Sequence, residues 1–235
     1  MTKQHPSLCR GGACRSEAEI LSERSESKGP LPLGACVLLA LLLAAPPAAR
    51  AADWPPISPE ELALKDDPLR PGAPAITLYR ELFSDHINNI DTDSVRIKIL
   101  TEEGKKYANV ELPFWKGRFD VQDVEARTLR PDGRVVPFTG QFFQKTVVKG
   151  RGVKLLAKTF SLPEAEVGSV IEYRYKLKWN IGWTWFWILQ DQLTLRRGRF
   201  TVRPFVSPYV ALRWMYHLPP GKKLEPRGQD YTVEL

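Results

Sequence analysis

Between Val170 and Trp179 apolar and charged residues alternate without a break. Ile171, Tyr173, Tyr175, Leu177 and Trp179 fall on one side, and Glu172, Arg174, Lys176 and Lys178 fall on the other. Successive side chains of a strand point to opposite faces, so this spacing predicts a β-strand with one apolar face and one charged, solvated face. Val95, Ile97 and Ile99 repeat the pattern around Arg96 and Lys98. Beyond Ala75 no long window favours the helical period, and the chain reads as all-β.

Turn signals divide this region. The polar run Thr101-Glu102-Glu103-Gly104-Lys105 is expected to turn the chain, with Tyr107 to Leu112 returning. Arg130-Pro131-Asp132-Gly133 places proline and glycine where a hairpin turn takes them, and Lys149-Gly150-Arg151-Gly152 marks a third hairpin. Further strands are expected at Trp183–Leu189, Phe200–Pro204, Tyr209–Tyr216 and Tyr231–Leu235. Roughly ten strands at hairpin spacing predict an antiparallel β-sandwich over residues 75–235. Tyr231 to Leu235 alternates like a strand entering its sheet, which leads us to expect that the sandwich is truncated and the protein continues past Leu235.

Residues 52–74 read as a linker with one short helix. Ser58-Pro59-Glu60-Glu61 supplies a cap, a proline at the first helical position and a glutamate three residues after the cap, so a helix is expected from Pro59 to about Lys65. Residues 1–51 read as a signal peptide with an over-long leading region. The apolar run Leu33–Ala45 is too short to span a bilayer, Pro46 and Pro47 end it, and Ala49-Arg50-Ala51 offers small residues for cleavage between Ala51 and Ala52. An uncleaved anchor is the alternative. A lipoprotein is excluded by order, because the apolar run follows Cys36 instead of preceding it. The expectation is an exported protein of the periplasm or cell envelope, with no stable membrane span after cleavage.

Cys9, Cys14 and Cys36 all precede Ala52, so the processed chain has no disulfide, thiol nucleophile or thiolate ligand. Two histidines remain. His86 stands in an expected loop and His217 at a strand end, both read as surface or rim residues, and their spacing predicts no metal site. Asp91-Thr92-Asp93-Ser94 begins like a calcium loop but lacks the central glycine and terminal glutamate, so it reads as a turn before a strand. Glu164, Glu166 and Glu172 could in principle form the paired carboxylates of a glycoside hydrolase, but Glu164 and Glu166 read as solvated loop residues. No phosphate-cradling loop and no nucleophile elbow occur. No catalytic residue, cofactor or metal is therefore expected, and a hydrolase ranks as a distant third reading.

Lysine and arginine number 34 against 27 aspartates and glutamates, a net charge of +7. Only Arg196, Arg197, Arg199 and Arg203 are dense enough to suggest a polyanion, and a solvated strand face explains them without nucleic acid. Trp183, Trp185 and Trp187 are the unusual feature. They share one face of an expected strand, with Phe186 and Ile188 on the other. Such a row is expected to fill a sandwich core, with contact to a neighbouring domain or a platform that stacks sugar rings as the alternatives.

Several segments together resemble a known family. They are Val95 to Gly104, Thr128-Leu129-Arg130-Pro131-Asp132-Gly133, Phe160-Ser161-Leu162-Pro163 and Val167 to Tyr173. In that order they are similar to a bacterial domain of unknown function (DUF3857-type) that stands N-terminal to transglutaminase-like domains in exported proteins. The resemblance covers roughly Ala75 to Val206. It implies a β-sandwich in the envelope with no catalytic residues of its own, the chemistry belonging to a Cys/His/Asp domain beyond residue 235. The expected function is an accessory domain that positions or shields such a domain in cis, or another envelope protein. The alternative is a free-standing carbohydrate-binding module built on the tryptophan row, with a glycan as partner.

Overall fold

Ser58 starts a short helix, α1 (Pro59–Ala63), with a reciprocal cap. Its Oγ accepts from Glu61 N at 3.2 Å, and Glu61 Oε2 accepts from Ser58 N at 3.2 Å. The computed structural model describes residues 54–150, 152–180, 188, 191–209, 215 and 217–235. The strands expected over 183–189 and 209–216 fall mostly outside this set. The chain divides into two compact units, Met1–Pro55 and Pro56–Leu235, and the helix and strands among the described residues belong to the second.

Eleven strands are seen among the described residues: β1 (Ala75–Asp85), β2 (Ile90–Ile99), β3 (Asn109–Trp115), β4 (Phe119–Leu129), β5 (Val135–Pro137), β6 (Phe143–Gly150), β7 (Val153–Ser161), β8 (Val170–Trp179), β9 (Gly198–Arg203), β10 (Glu225–Arg227) and β11 (Asp230–Glu234). They form an eight-stranded sheet of order β10-β11-β9-β1-β2-β8-β4-β5 and a three-stranded sheet of order β3-β7-β6. The fold is all-β and two-layered, as the alternating pattern predicts. The large sheet is mixed, because β1 pairs antiparallel with β2 but parallel with β9. Every other pairing between these strands is antiparallel.

The hairpins at Arg130–Gly133 and Lys149–Gly152 are present, joining β4 to β5 and β6 to β7, with φ of 85° at Gly133 and 74° at Gly152. The expected hairpin at Thr101–Lys105 is not. Residues Glu102–Ala108 form a 3-10 helix that carries the chain out of the large sheet, and β3 pairs with β7 in the small one. Gly104 is required at this crossing, because a Cβ there would lie 2.0 Å from Pro74 O. Asp91 to Ser94 also differs from expectation. It lies within β2, paired to β8 through Asp91↔Leu177 and Asp93↔Tyr175.

The core lies between the sheets. Val95, Ile97, Ile99, Ile171, Tyr173, Tyr175 and Leu177 on the large sheet meet Val110, Leu112, Phe114, Leu156 and Phe160 on the small one. This is the apolar face that the sequence predicts. The opposite face is not uniformly solvated. Arg96, Lys98 and Glu172 are 3%, 3% and 1% exposed. Residues 57–64 lie over this end of the sheet, with Ile57 and Leu64 packing on Ile76, Leu78 and Val170. Farther along β8, Arg174 is half-buried, Lys176 is exposed, and both pair with acidic residues of β4, Glu125 and Asp123.

Candidate functional site

The covered end of the outer face holds a row of charges built by strand register. Arg96 on β2, Glu172 on β8 and Arg127 on β4 are directly opposite one another across adjacent strands. Glu172 accepts from Arg96 Nε at 2.7 Å and from Arg127 Nε at 2.5 Å, one through each carboxylate oxygen. Arg96 also donates to Glu61 Oε2 at 3.4 Å and to Pro56 O at 3.2 Å, and Arg197 pairs with the other oxygen of Glu61. Lys98 Nζ donates to Leu62 O and Gly168 O, each at 2.7 Å. Both oxygens of Glu172 are thus occupied by arginine donors beneath the covering segment.

The remaining candidate carboxylates are also engaged. Glu164 is an exposed loop residue, as expected, and hydrogen bonds from Arg130 and Arg134 hold its pKa below the ordinary range. Glu166 pairs with Arg130 at 2.9 Å. Arg197, Arg199 and Arg203 of the basic tract pair with Glu61, Glu234 and Asp230.

His86 is not a rim residue. It is 8% exposed at the end of the β1–β2 hairpin, with its ring edge-on to Trp179 at 5.8 Å, and burial lowers its pKa. Apolar burial at the sheet end gives no signal in a sequence where Ser84-Asp85 and Asn88-Asn89 flank the histidine. His217 is exposed. Among the described residues no group of three His, Cys, Asp or Glu side chains could hold a metal ion, and no helix is long and apolar enough to cross a membrane. Trp183, Trp185 and Trp187, and the cleavage positions Ala51 and Ala52, lie outside the described residues.

Spacing offers no hint of a sizeable cavity that carries polar groups on a rigid frame. It has a volume of about 540 Å³ and opens between the inner face of β1, β2 and β8 and the margin of β3. Arg80 reaches it from β1 because the bulge between Thr77 and Tyr79 resets which side chains face inward. Its guanidinium donates through two nitrogens to Asp93, at 2.8 and 3.3 Å, and Tyr175 donates to the same carboxylate at 3.3 Å. Tyr173 lines the cavity, and its hydroxyl has no hydrogen-bond partner among the described residues. Burial, then the Asp93 charge, pushes the pKa of Tyr173 and Tyr175 above the ordinary tyrosine range, so both are neutral phenols at neutral pH.

The opposite wall is the edge of the small sheet. Asn109 to Pro113 line it consecutively, as a strand edge does and a strand face cannot. Ala108 O accepts from Leu162 N and Lys116 N donates to Lys154 O, so even-numbered residues of β3 bond to β7. Asn109, Glu111 and Pro113 therefore turn their backbone groups away from β7. Asn109 N already donates to Lys106 O, and proline has no N–H, which leaves this edge three carbonyls and one amide.

No curated protein sequence matches the chain. Among solved structures, the fold is similar to that of a "putative protease" from Parabacteroides distasonis, with a TM-score of 0.50 and 12% identity. That likeness covers 68% of this chain and 34% of the other, so the chain spans about a third of that protein's length, and at this identity it speaks to the fold alone. Yeast LTA4 hydrolase in complex with bestatin overlaps 68% of this chain and 26% of its own, with 10% identity and a TM-score of 0.31, too low to carry an argument. The profile of DUF3857, a domain of unknown function with a solved structure, matches residues 91–233, more than half of the chain, and the chain belongs to that family.

Proposed function

We propose that this chain is a non-catalytic accessory domain of an exported, envelope-located protein, and that it positions or shields a catalytic partner. The transglutaminase-like domain implied by the family resemblance is the partner we favour. The observation that carries the reading is the state of the buried carboxylate Glu172. It is the one buried member of the carboxylate set that the sequence offers a hydrolase, and both of its oxygens accept from arginine Nε atoms. A carboxylate so held serves as a structural partner of two arginines, with neither oxygen left open to a substrate.

The test is an activity assay of the purified chain against peptide and glutamine–lysine cross-linking substrates. Neither activity is expected. Turnover that survives purification and vanishes on Glu172→Gln, with the fold retained, would restore the hydrolase. Intact-mass measurement of the exported product tests the location: a mature chain beginning at Ala52 supports export with cleavage, and one retaining Cys36 removes that part of the reading.

A further inference from the structure

We infer that the cavity between the sheets is a binding site for a neutral, polyhydroxylated ligand, a sugar ring of one or two units, held by Tyr173, the Arg80–Asp93 pair and the free edge of β3. This goes beyond the accessory role and uses none of the tryptophan row. Three features of the cavity select the ligand class.

The first is size and a fixed frame. About 540 Å³ falls inside the range of roughly 300–1,000 Å³ typical of small-molecule sites. Its polar centre also stands on strands, since Arg80, Asp93, Tyr173 and Tyr175 belong to β1, β2 and β8. Asp93 fixes Arg80 with two hydrogen bonds, and Tyr175 fixes Asp93 in turn.

The second is charge. Arg80 is neutralised by Asp93, Lys106 pairs with Glu103 at 2.9 Å, and Glu111 pairs with Lys145. Groups already ion-paired gain little from a further ion, and Asp191, a lining carboxylate at the exposed mouth with no ion pair among the described residues, repels an anion. Anions are thereby disfavoured, and a cation would meet only Asp191, whose exposed carboxylate is solvated and attracts it weakly.

The third is the hydrogen-bond inventory. The β3 edge offers three carbonyls against a single amide, and Asp93 adds carboxylate acceptors, so the cavity calls for donors. An extended peptide needs alternating donors and acceptors along an edge, and Pro113 and the spent amide of Asn109 deny it that ladder. Hydroxyl groups suit such an edge. Tyr173 completes the set with a phenol that has no partner within the described fold, and the tyrosine rings give a sugar an apolar face to lie against.

The experiment titrates the purified chain with maltose, cellobiose and N,N′-diacetylchitobiose, read by calorimetry and saturation-transfer NMR. At least one should bind with a dissociation constant in the micromolar to millimolar range. Tyr173→Phe keeps the ring and its packing on Phe160, so it should fold with an unchanged or higher melting temperature and bind roughly tenfold more weakly. Gln192→Ala, at the exposed mouth, should weaken binding without touching the core. No binding of any of the three sugars by the unaltered chain overturns the inference. So does undiminished binding by a folded Tyr173→Phe protein. Sugar binding that Trp185→Ala abolishes and Tyr173→Phe leaves intact moves the site to the tryptophan row, and preferential binding of putrescine makes the cavity a cation site.

Discussion

Arg96 and Glu172 stand 76 residues apart in the chain yet face each other across β2 and β8 at 2.7 Å, with side chains only 4% and 2% exposed. A buried pair of this kind contributes little net stability, because desolvation offsets the attraction, but it strongly penalises the loss of one partner. Glu172→Leu leaves Arg96 buried with a weaker partner, Glu61 at 3.4 Å, and should cost about 3–5 kcal/mol. Adding Arg96→Met should restore most of that. Urea denaturation of both variants checks it, and a double variant as unstable as the single one would show that the row holds the fold together by more than charge balance.

Asp91 gives a pH dependence with a definite sign. Burial raises its pKa from 3.8 to about 6, against the opposing hydrogen bonds from Ser84 and Trp179. Between about pH 4 and 6 the folded protein therefore holds a proton that the unfolded chain has released. This group's contribution to stability falls as the pH rises through that window and stays low above it. Asp91→Asn keeps an acceptor for Ser84 Oγ, which lies 2.5 Å from the carboxylate. It should remove the slope and raise stability at pH 7 by at most about 3 kcal/mol. Melting temperatures at pH 4, 5, 6 and 7 for both proteins measure it. Parallel curves would mean that Asp91 titrates normally.

Alternation carried most of the fold. The strand at Val170–Trp179 and the inward set Ile171, Tyr173, Tyr175 and Leu177 follow directly from a period of two. What alternation cannot say is whether the other face meets water. Glu172 and Arg174 look alike in sequence, but only Glu172 lies under α1, and that cover comes from more than a hundred residues upstream. The parallel pairing of β1 with β9 is hidden for a similar reason, since no local signal links Leu82 to Phe200. The cavity was illegible because a bulge, not spacing, turns Arg80 inward. The hairpin expected at Thr101–Lys105 failed because polar residues that suit a turn suit a 3-10 helix equally well.

Thr128 tests the row opposite to the charges. It is fully buried on the inner face beside Ile171, and its Oγ1 has no hydrogen-bond partner among the described residues. Valine replaces the hydroxyl with a methyl group of similar volume, so Thr128→Val should stabilise the fold by about 1 kcal/mol. Chemical denaturation gives the answer directly. A loss of stability would reveal an unseen partner for the hydroxyl.

Lys98 fastens the covering segment to the sheet. Its ammonium group donates to Leu62 O at the end of α1 and to Gly168 O beside β8, and burial lowers its pKa. Lys98→Met preserves the length of the side chain but strands two carbonyls, at a cost of about 2 kcal/mol. The loss should be local. Leu62 N donates to Ser58 O within α1, and its exchange with deuterium should quicken far more than that of Ile97, which lies in the core of β2. The pH sign adds a second reading. A lysine with a depressed folded pKa contributes stability that grows as the pH rises from the folded value to the ordinary one, about 10.4, so the normal protein should gain on the variant over that alkaline range. If Leu62 exchanges equally slowly in both proteins, Glu61, with Arg96 and Arg197 on its two oxygens, is what holds the segment down.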